Sequence, residues 1–115
     1  MLAPVITLRE FADAQDDPRM LLLDSRLPDE RSELELKHPF FNVAYAPRAT
    51  IRVGLLHLAA IVGDRHVVVV DNAQGDAADV AVLLCDAGVN AKALEHGIAG
   101  WQEYLTALNG ATCLR

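Results

Sequence analysis

The run His66-Val67-Val68-Val69-Val70 constrains this chain more than any other stretch. Successive β-branched residues, with Gly63-Asp64 before them and Asp71-Asn72-Ala73-Gln74-Gly75 after, read as a strand. The run does not alternate with polar residues. A strand that is apolar at every position suits burial on both faces, as in a parallel sheet covered by helices. Met20-Leu21-Leu22-Leu23, which ends at Asp24, has the same form.

Helix signals alternate with such strands along the whole chain. Val5 and Ile6 form a short first strand. Thr7-Leu8-Arg9-Glu10 is a capping box, with Thr7 as N-cap and Glu10 reaching back to it. Leu8, Phe11 and Ala12 give the helix one apolar face, and Asp16-Asp17-Pro18 ends it. A short polar helix is expected from Asp29 to Leu36 and a strand from Phe40 to Tyr45. An amphipathic helix is expected from about Thr50 to Val62. Asp76 is placed to cap the next helix, which carries Val80, Leu83, Leu84 and Ala87 and has Gly88 as its C′ residue. Lys92 to Leu94 reads as a last strand. Ile98, Trp101, Leu105 and Leu108 give a final helix stopped by Asn109-Gly110. This alternation predicts a mostly parallel sheet with helices on both faces, and ligands in such sheets bind beyond the carboxyl ends of the strands. Asp24 and Asp71 stand at such ends.

A chain of 115 residues is expected to form one domain, 1–110, with 111–115 as a short tail. The hydrophobic fraction of 52% argues for a packed core and against disorder. The formal net charge is −6, and the basic residues form no stripe, which argues against binding nucleic acid. The longest apolar runs fall far short of the ~20 residues of a membrane span. Met1-Leu2-Ala3-Pro4 lacks a basic region followed by an apolar core, so a cytoplasmic location is expected. Cys85 and Cys113 have neither metal-site nor redox-pair spacing and read as free thiols. Cys85 is expected to be buried or half-buried. No metal site follows from His38, His57, His66 and His96, which lack ligand spacing, and no cofactor is expected.

Together these segments resemble a single-domain rhodanese over nearly the whole chain. Asp24-Ser25-Arg26 after an apolar strand is similar to the family's Asp-x-Arg signature. His38-Pro39, a strand and Pro47 resemble its Gly-His-Ile-Pro-Gly-Ala region. Leu83-Leu84-Cys85-Asp86-Ala87-Gly88 is similar to Leu-Leu-x-x-x-Gly. Leu94-Glu95-His96-Gly97-Ile98-Ala99-Gly100-Trp101 resembles Leu-x-Gly-Gly-Ile-x-Gly-Trp, with His96 in place of a glycine. The resemblance implies an α/β three-layer sandwich, with a central mostly parallel sheet of four or five strands and helices on both faces. It implies that position 71, reached from Gly88 without a gap, is where the family holds its nucleophilic cysteine. It also implies a mainly structural role for Asp24 and Arg26.

The family loop reads Cys-x-x-Gly-x-Arg-Ser. Here Asp71, Asn72, Ala73, Gln74, Gly75, Asp76 and Ala77 stand in its place. A carboxylate forms no persulfide, and sulfur transfer needs a thiolate both as attacking atom and as carrier. Asp76 and Asp79 add negative charge, and no Lys or Arg lies between Arg65 and Lys92. A like-charge pair at ~4 Å costs about 1 kcal/mol in water, so the loop should repel anionic sulfur donors. The expected function is therefore a non-catalytic binding or regulatory module with a protein partner. Asp24, Arg26 and His96 are candidates to line its pocket. Two alternatives remain open: sulfur transfer through Cys113, or Mg²⁺-dependent phosphoryl transfer at Asp24 and Asp71. The plainest role for Asp71 is a loop-opening residue whose carboxylate accepts backbone N–H groups two or three residues on.

Overall fold

The computed structural model describes residues 4–14, 17–26, 29, 43–46, 48–72 and 75–113. Strand β1 is Val5–Ile6, β2 Met20–Asp24, β3 Val43–Tyr45, β4 His66–Val70 and β5 Asn90–Leu94. Helix α1 is Leu8–Ala14, α2 Arg48–Ile51, α3 Leu55–Val62, α4 Gly75–Asp86 and α5 Gly97–Cys113. The strands form one sheet in the order β1-β5-β4-β2-β3, and every neighbouring pair is parallel. β4, the apolar run, lies at the centre, as its burial on both faces requires.

Strand alternation divides the core into two layers. Leu21, Leu23, Val67 and Val69 pack with Ile51, Val62, Val80 and Leu84 on one face. Met20, Leu22, Val68 and Val70 pack with Phe11, Ile98 and Trp101 on the other. Each such side chain contributes about 1.5–3 kcal/mol on burial. Trp101 is a core residue, edge-on to Phe11 with ring centroids 4.8 Å apart and stacked on Tyr104 at 5.7 Å.

The local end signals hold. The Thr7 N–H donates to Glu10 Oε1 at 3.0 Å, and the Glu10 N–H donates to Thr7 Oγ1 at 3.1 Å. At the end of α4, Gly88 takes φ +88°. The Val89 N–H donates to the Leu84 carbonyl and the Gly88 N–H to the Cys85 carbonyl, which is a Schellman turn.

Two expectations are corrected. The helix expected from Thr50 to Val62 is two helices, α2 and α3, separated at residues 52–54. Gly54 is the N-cap of α3 and lends its carbonyl to the Leu58 N–H. Nor is α3 amphipathic, since Leu55-Leu56-His57-Leu58-Ala59-Ala60-Ile61-Val62 is apolar around its whole circumference but for His57. The final helix does not stop at Asn109-Gly110 but runs to Cys113. A glycine inside a helix costs only about 1 kcal/mol relative to alanine, too little to end it alone. The helix expected at Asp29 to Leu36 and the strand start at Phe40 lie outside the described residues, Asp29 apart. So do His38, Pro39, Phe41 and Pro47.

Candidate functional site at the carboxyl ends of β2 and β4

β2 and β4 run side by side with Asp24 opposite Val70, so their loops leave the sheet together. The buried polar side chains among the described residues are Asp24, Ser25, Arg26 and Asp71, and all of them belong to these two loops.

Arg26 is held by Asp24. Its Nε donates to Asp24 Oδ1 at 3.0 Å and its Nη2 to Asp24 Oδ2 at 2.9 Å, a two-pronged ion pair. The Arg26 backbone N–H donates to the same Oδ1 at 3.1 Å. The third prong, Nη1, donates to Asn72 Oδ1 at 3.0 Å and so reaches the neighbouring loop. Ser25 makes a second link, because its N–H and its Oγ both donate to the Val70 carbonyl, at 3.1 and 3.0 Å. Both carboxylate oxygens of Asp24 thus accept from Arg26, the geometry of an internal ion pair and not of a metal ligand. Among the described residues no group of three or more His, Cys, Asp or Glu side chains is gathered to hold a metal ion.

Asp71 is held by backbone. Its Oδ2 accepts from the Ala77 N–H at 2.9 Å. Its carbonyl accepts from the Ile98 N–H at 2.9 Å, and the Asn72 carbonyl accepts from the Ala99 N–H at 3.3 Å. The first turns of α4 and α5 both point N–H groups that lack intrahelical partners at this one dipeptide. Asp76 was expected to cap α4. It lies instead inside the first turn, exposed, while Asp71 takes an N-terminal donor. This acceptor relation of Asp71 spans six residues, and the donors expected two and three residues on, at Ala73 and Gln74, lie outside the described residues.

His96 lies two residues before Ile98, whose N–H donates to the Asp71 carbonyl. His96 is exposed and lines a surface groove with Leu8, Ala99, Gly100, Glu103 and Tyr104, to which Asp24, Arg26 and Asp71 do not contribute. It is the non-glycine residue with positive φ, +61°, among the described residues. Its Nε2 lies 3.7 Å from Glu95 Oε1, while Glu95 Oε2 accepts the Leu8 N–H at 3.2 Å. Ser25 and Glu95 carry contacts that the sequence did not single out. For Ser25 a signal existed, a small hydroxyl residue between Asp24 and Arg26 at a buried strand end.

The cysteines are remote from this site. Cys85 is in the last turn of α4, exposed rather than buried, and its thiol donates to the Ala91 carbonyl at 3.2 Å. From Gly75 it is about 15 Å along the helix at ~1.5 Å per residue. Cys113 ends α5 at the opposite end from Ile98, about 22 Å away on the same rise.

A fully parallel, centrally loaded α/β sheet with its buried polar cluster at the strand carboxyl ends defines the class. The chain belongs to the rhodanese-like domain family, whose profile matches residues 7–104. No curated protein matches it. Several solved structures do. A rhodanese-related protein from Thermoplasma volcanium is 20% identical, with a TM-score of 0.70 over 88% of this chain and 92% of that one. A rhodanese-like domain protein from Staphylococcus aureus is 20% identical, with a TM-score of 0.68 over 85% and 90%. A single-domain sulfurtransferase from Saccharomyces cerevisiae is 19% identical, with a TM-score of 0.61 over 90% and 92%. At these identities the likeness is one of fold. No helix among the described residues is long and apolar enough to cross a membrane.

Proposed function

We propose that this chain is a rhodanese-like domain without sulfurtransferase activity, serving as a binding or regulatory module. The observation that carries this is the occupant of the end of β4. By its resemblance to the family, position 71 is the seat of the nucleophilic cysteine, and here it holds a carboxylate bonded to the Ala77 N–H. A carboxylate offers no sulfur atom to attack or to carry. The two helix N-termini that would favour a thiolate already serve the Asp71 carboxylate and the Asp71 and Asn72 carbonyls. The buried cation among the described residues, Arg26, is turned to Asp24 and Asn72. Neither cysteine stands within reach of the loop along its own helix.

The test is incubation of purified protein with thiosulfate and cyanide. Thiocyanate should not rise above a protein-free blank, and intact mass should show no added sulfur after thiosulfate alone. Turnover that disappears in Cys113→Ser or in Cys85→Ser would overturn the proposal and identify the carrier.

A further inference from the structure

We propose that the outer face of α3, with the turn before it, is the docking surface of this module, and that its occupant is an acidic amphipathic helix of a partner protein. The proposal deepens the binding-module reading and rests on it.

A short surface helix normally divides into an apolar stripe and a polar face. In α3, Leu55, Leu58, Ala59 and Val62 turn inward: Val62 is buried and the other three pack against the core. One hundred degrees per residue then turns Leu56, His57, Ala60 and Ile61 outward, and all four are exposed. Leu56 is 81% exposed and Ile61 64%, while Val53 in the preceding turn is 91% exposed. Single exposed apolar residues need no explanation, but a contiguous set does. Within α3, Leu56, Ala60 and Ile61 stand at the i, i+4, i+5 spacing of a helix-contacting stripe, and Val53 lies in the turn just before it. Three of the four exposed large hydrophobic residues among those described lie here.

Charge selects the occupant. The formal net charge of the chain is −6, yet the apolar face is bracketed by cations. Arg52 precedes Val53 and Arg65 follows the helix, both exposed. The acidic neighbour, Asp64, is paired with Arg19 at 2.9 Å. A helix that sets apolar residues on this face and Glu or Asp at its flanks meets both features at once. A second copy of this chain meets only the first, because pairing α3 with itself brings arginine towards arginine in either orientation. An anionic membrane is also a poorer fit. Eight residues bury little apolar area in an interface, and the rest of the chain is acidic.

The test uses two synthetic helical peptides of about 18 residues with one Leu/Ile stripe, flanked by Glu in one and by Lys in the other. Fluorescence anisotropy should show the Glu-flanked peptide bound at least tenfold tighter. Leu56→Gln with Ile61→Gln should lower that affinity tenfold or more, with unchanged far-UV circular dichroism. Arg52→Glu with Arg65→Glu should reverse the peptide preference. Equal binding of the two peptides, or binding indifferent to the α3 variants, would overturn the proposal. So would a concentration-dependent dimer abolished by Leu56→Gln, or co-sedimentation with phosphatidylglycerol vesicles without peptide preference. The cyanide assay on the same samples separates the two proposals. Thiocyanate release would sink the non-catalytic reading while leaving the docking result to stand on its own.

Discussion

Asp24 and Asp71 stand at neighbouring strand ends and do different work. Asp24 is the last residue of one apolar strand and Asp71 follows the other, the strands are parallel neighbours, and both side chains are buried. Asp24 spends both oxygens on a guanidinium, and Asp71 gives one to a helix N-terminus. The first arrangement neutralises a buried charge with a charge. The second sets it against backbone dipoles, a contribution closer to that of a helix cap. What surrounds a strand-end aspartate, and not its position, decides how much the fold depends on it.

The comparison breaks most readily at Arg26. Arg26→Ala should leave Asp24 buried and uncompensated and cost about 3–5 kcal/mol in urea unfolding. The double change Asp24→Leu with Arg26→Met removes both charges and should be less destabilising than Arg26→Ala alone. If the two cost the same, the ion pair is not what holds these loops.

The end of β5 offers a third strand end, governed by sterics. A Cβ on Gly100 would lie 2.4 Å from His96 Cβ, a distance real side chains do not occupy. Gly100→Ala should therefore cost about 1–3 kcal/mol, as overpacking does. The same turn holds His96 at φ +61°, a conformation that costs a non-glycine residue about 1–2 kcal/mol. His96→Gly should relieve this strain and, net of the freedom glycine gains when unfolded, raise stability by up to about 1 kcal/mol. In His96→Gly with Gly100→Ala the penalty at Gly100 should shrink, since the clashing Cβ is gone. Additive free energies would mean that the clash is absorbed elsewhere.

At Asp71 the effect should be smaller than at Arg26. Asp71→Ala removes an acceptor from the α4 N-terminus and should cost about 1 kcal/mol, up to 2. Asp71→Cys should cost a similar amount, because sulfur is a weak acceptor. It should also restore little or no thiocyanate formation. The new thiol would stand near Asp76 and Asp79 without a neighbouring free guanidinium among the described residues, leaving only a few per cent thiolate at pH 7. Robust turnover by this single variant would show a pocket intact except for its nucleophile.

What the sequence disclosed follows from range. The strands ending at Asp24 and Val70, the Thr7-Glu10 box and the Gly88 turn depend on residues within a few positions of one another, and the structure has them all. The break at residues 52–54 was hidden because Ile51, Leu55, Leu58 and Val62 keep a helical apolar rhythm straight across it. The extension of α5 through Gly110 was hidden because one glycine is a weak stop. At the site, a mainly structural role for Asp24 and Arg26 was implied by the family resemblance. The Ala77 donor was not legible, since a six-residue reach depends on how the loop curls. The link from Arg26 to Asn72 spans two strands and has no sequence signal at all.

Glu10 sharpens the comparison from the solvent side. Like Asp71, it accepts a backbone N–H at a helix start, but it does so in water. Its hydrogen bonds with Thr7, and more weakly the nearby Lys92 charge, hold its carboxyl below the ordinary range. A carboxyl lowered on folding stabilises the fold only while it is ionised. That contribution is present at neutral pH and fades as pH falls through the ordinary carboxylate range, roughly pH 4, and below. Glu10→Ala should therefore be slightly less stable than the unaltered chain at pH 7, and the gap should narrow at about pH 3. Asp71→Ala provides the contrast, since its loss at pH 7 should exceed that of Glu10→Ala. Urea midpoints of all three proteins at both pH values measure this. A Glu10→Ala gap that persists undiminished in acid would mean that the side chain acts through packing, and that the exposed cap is no guide to the buried one.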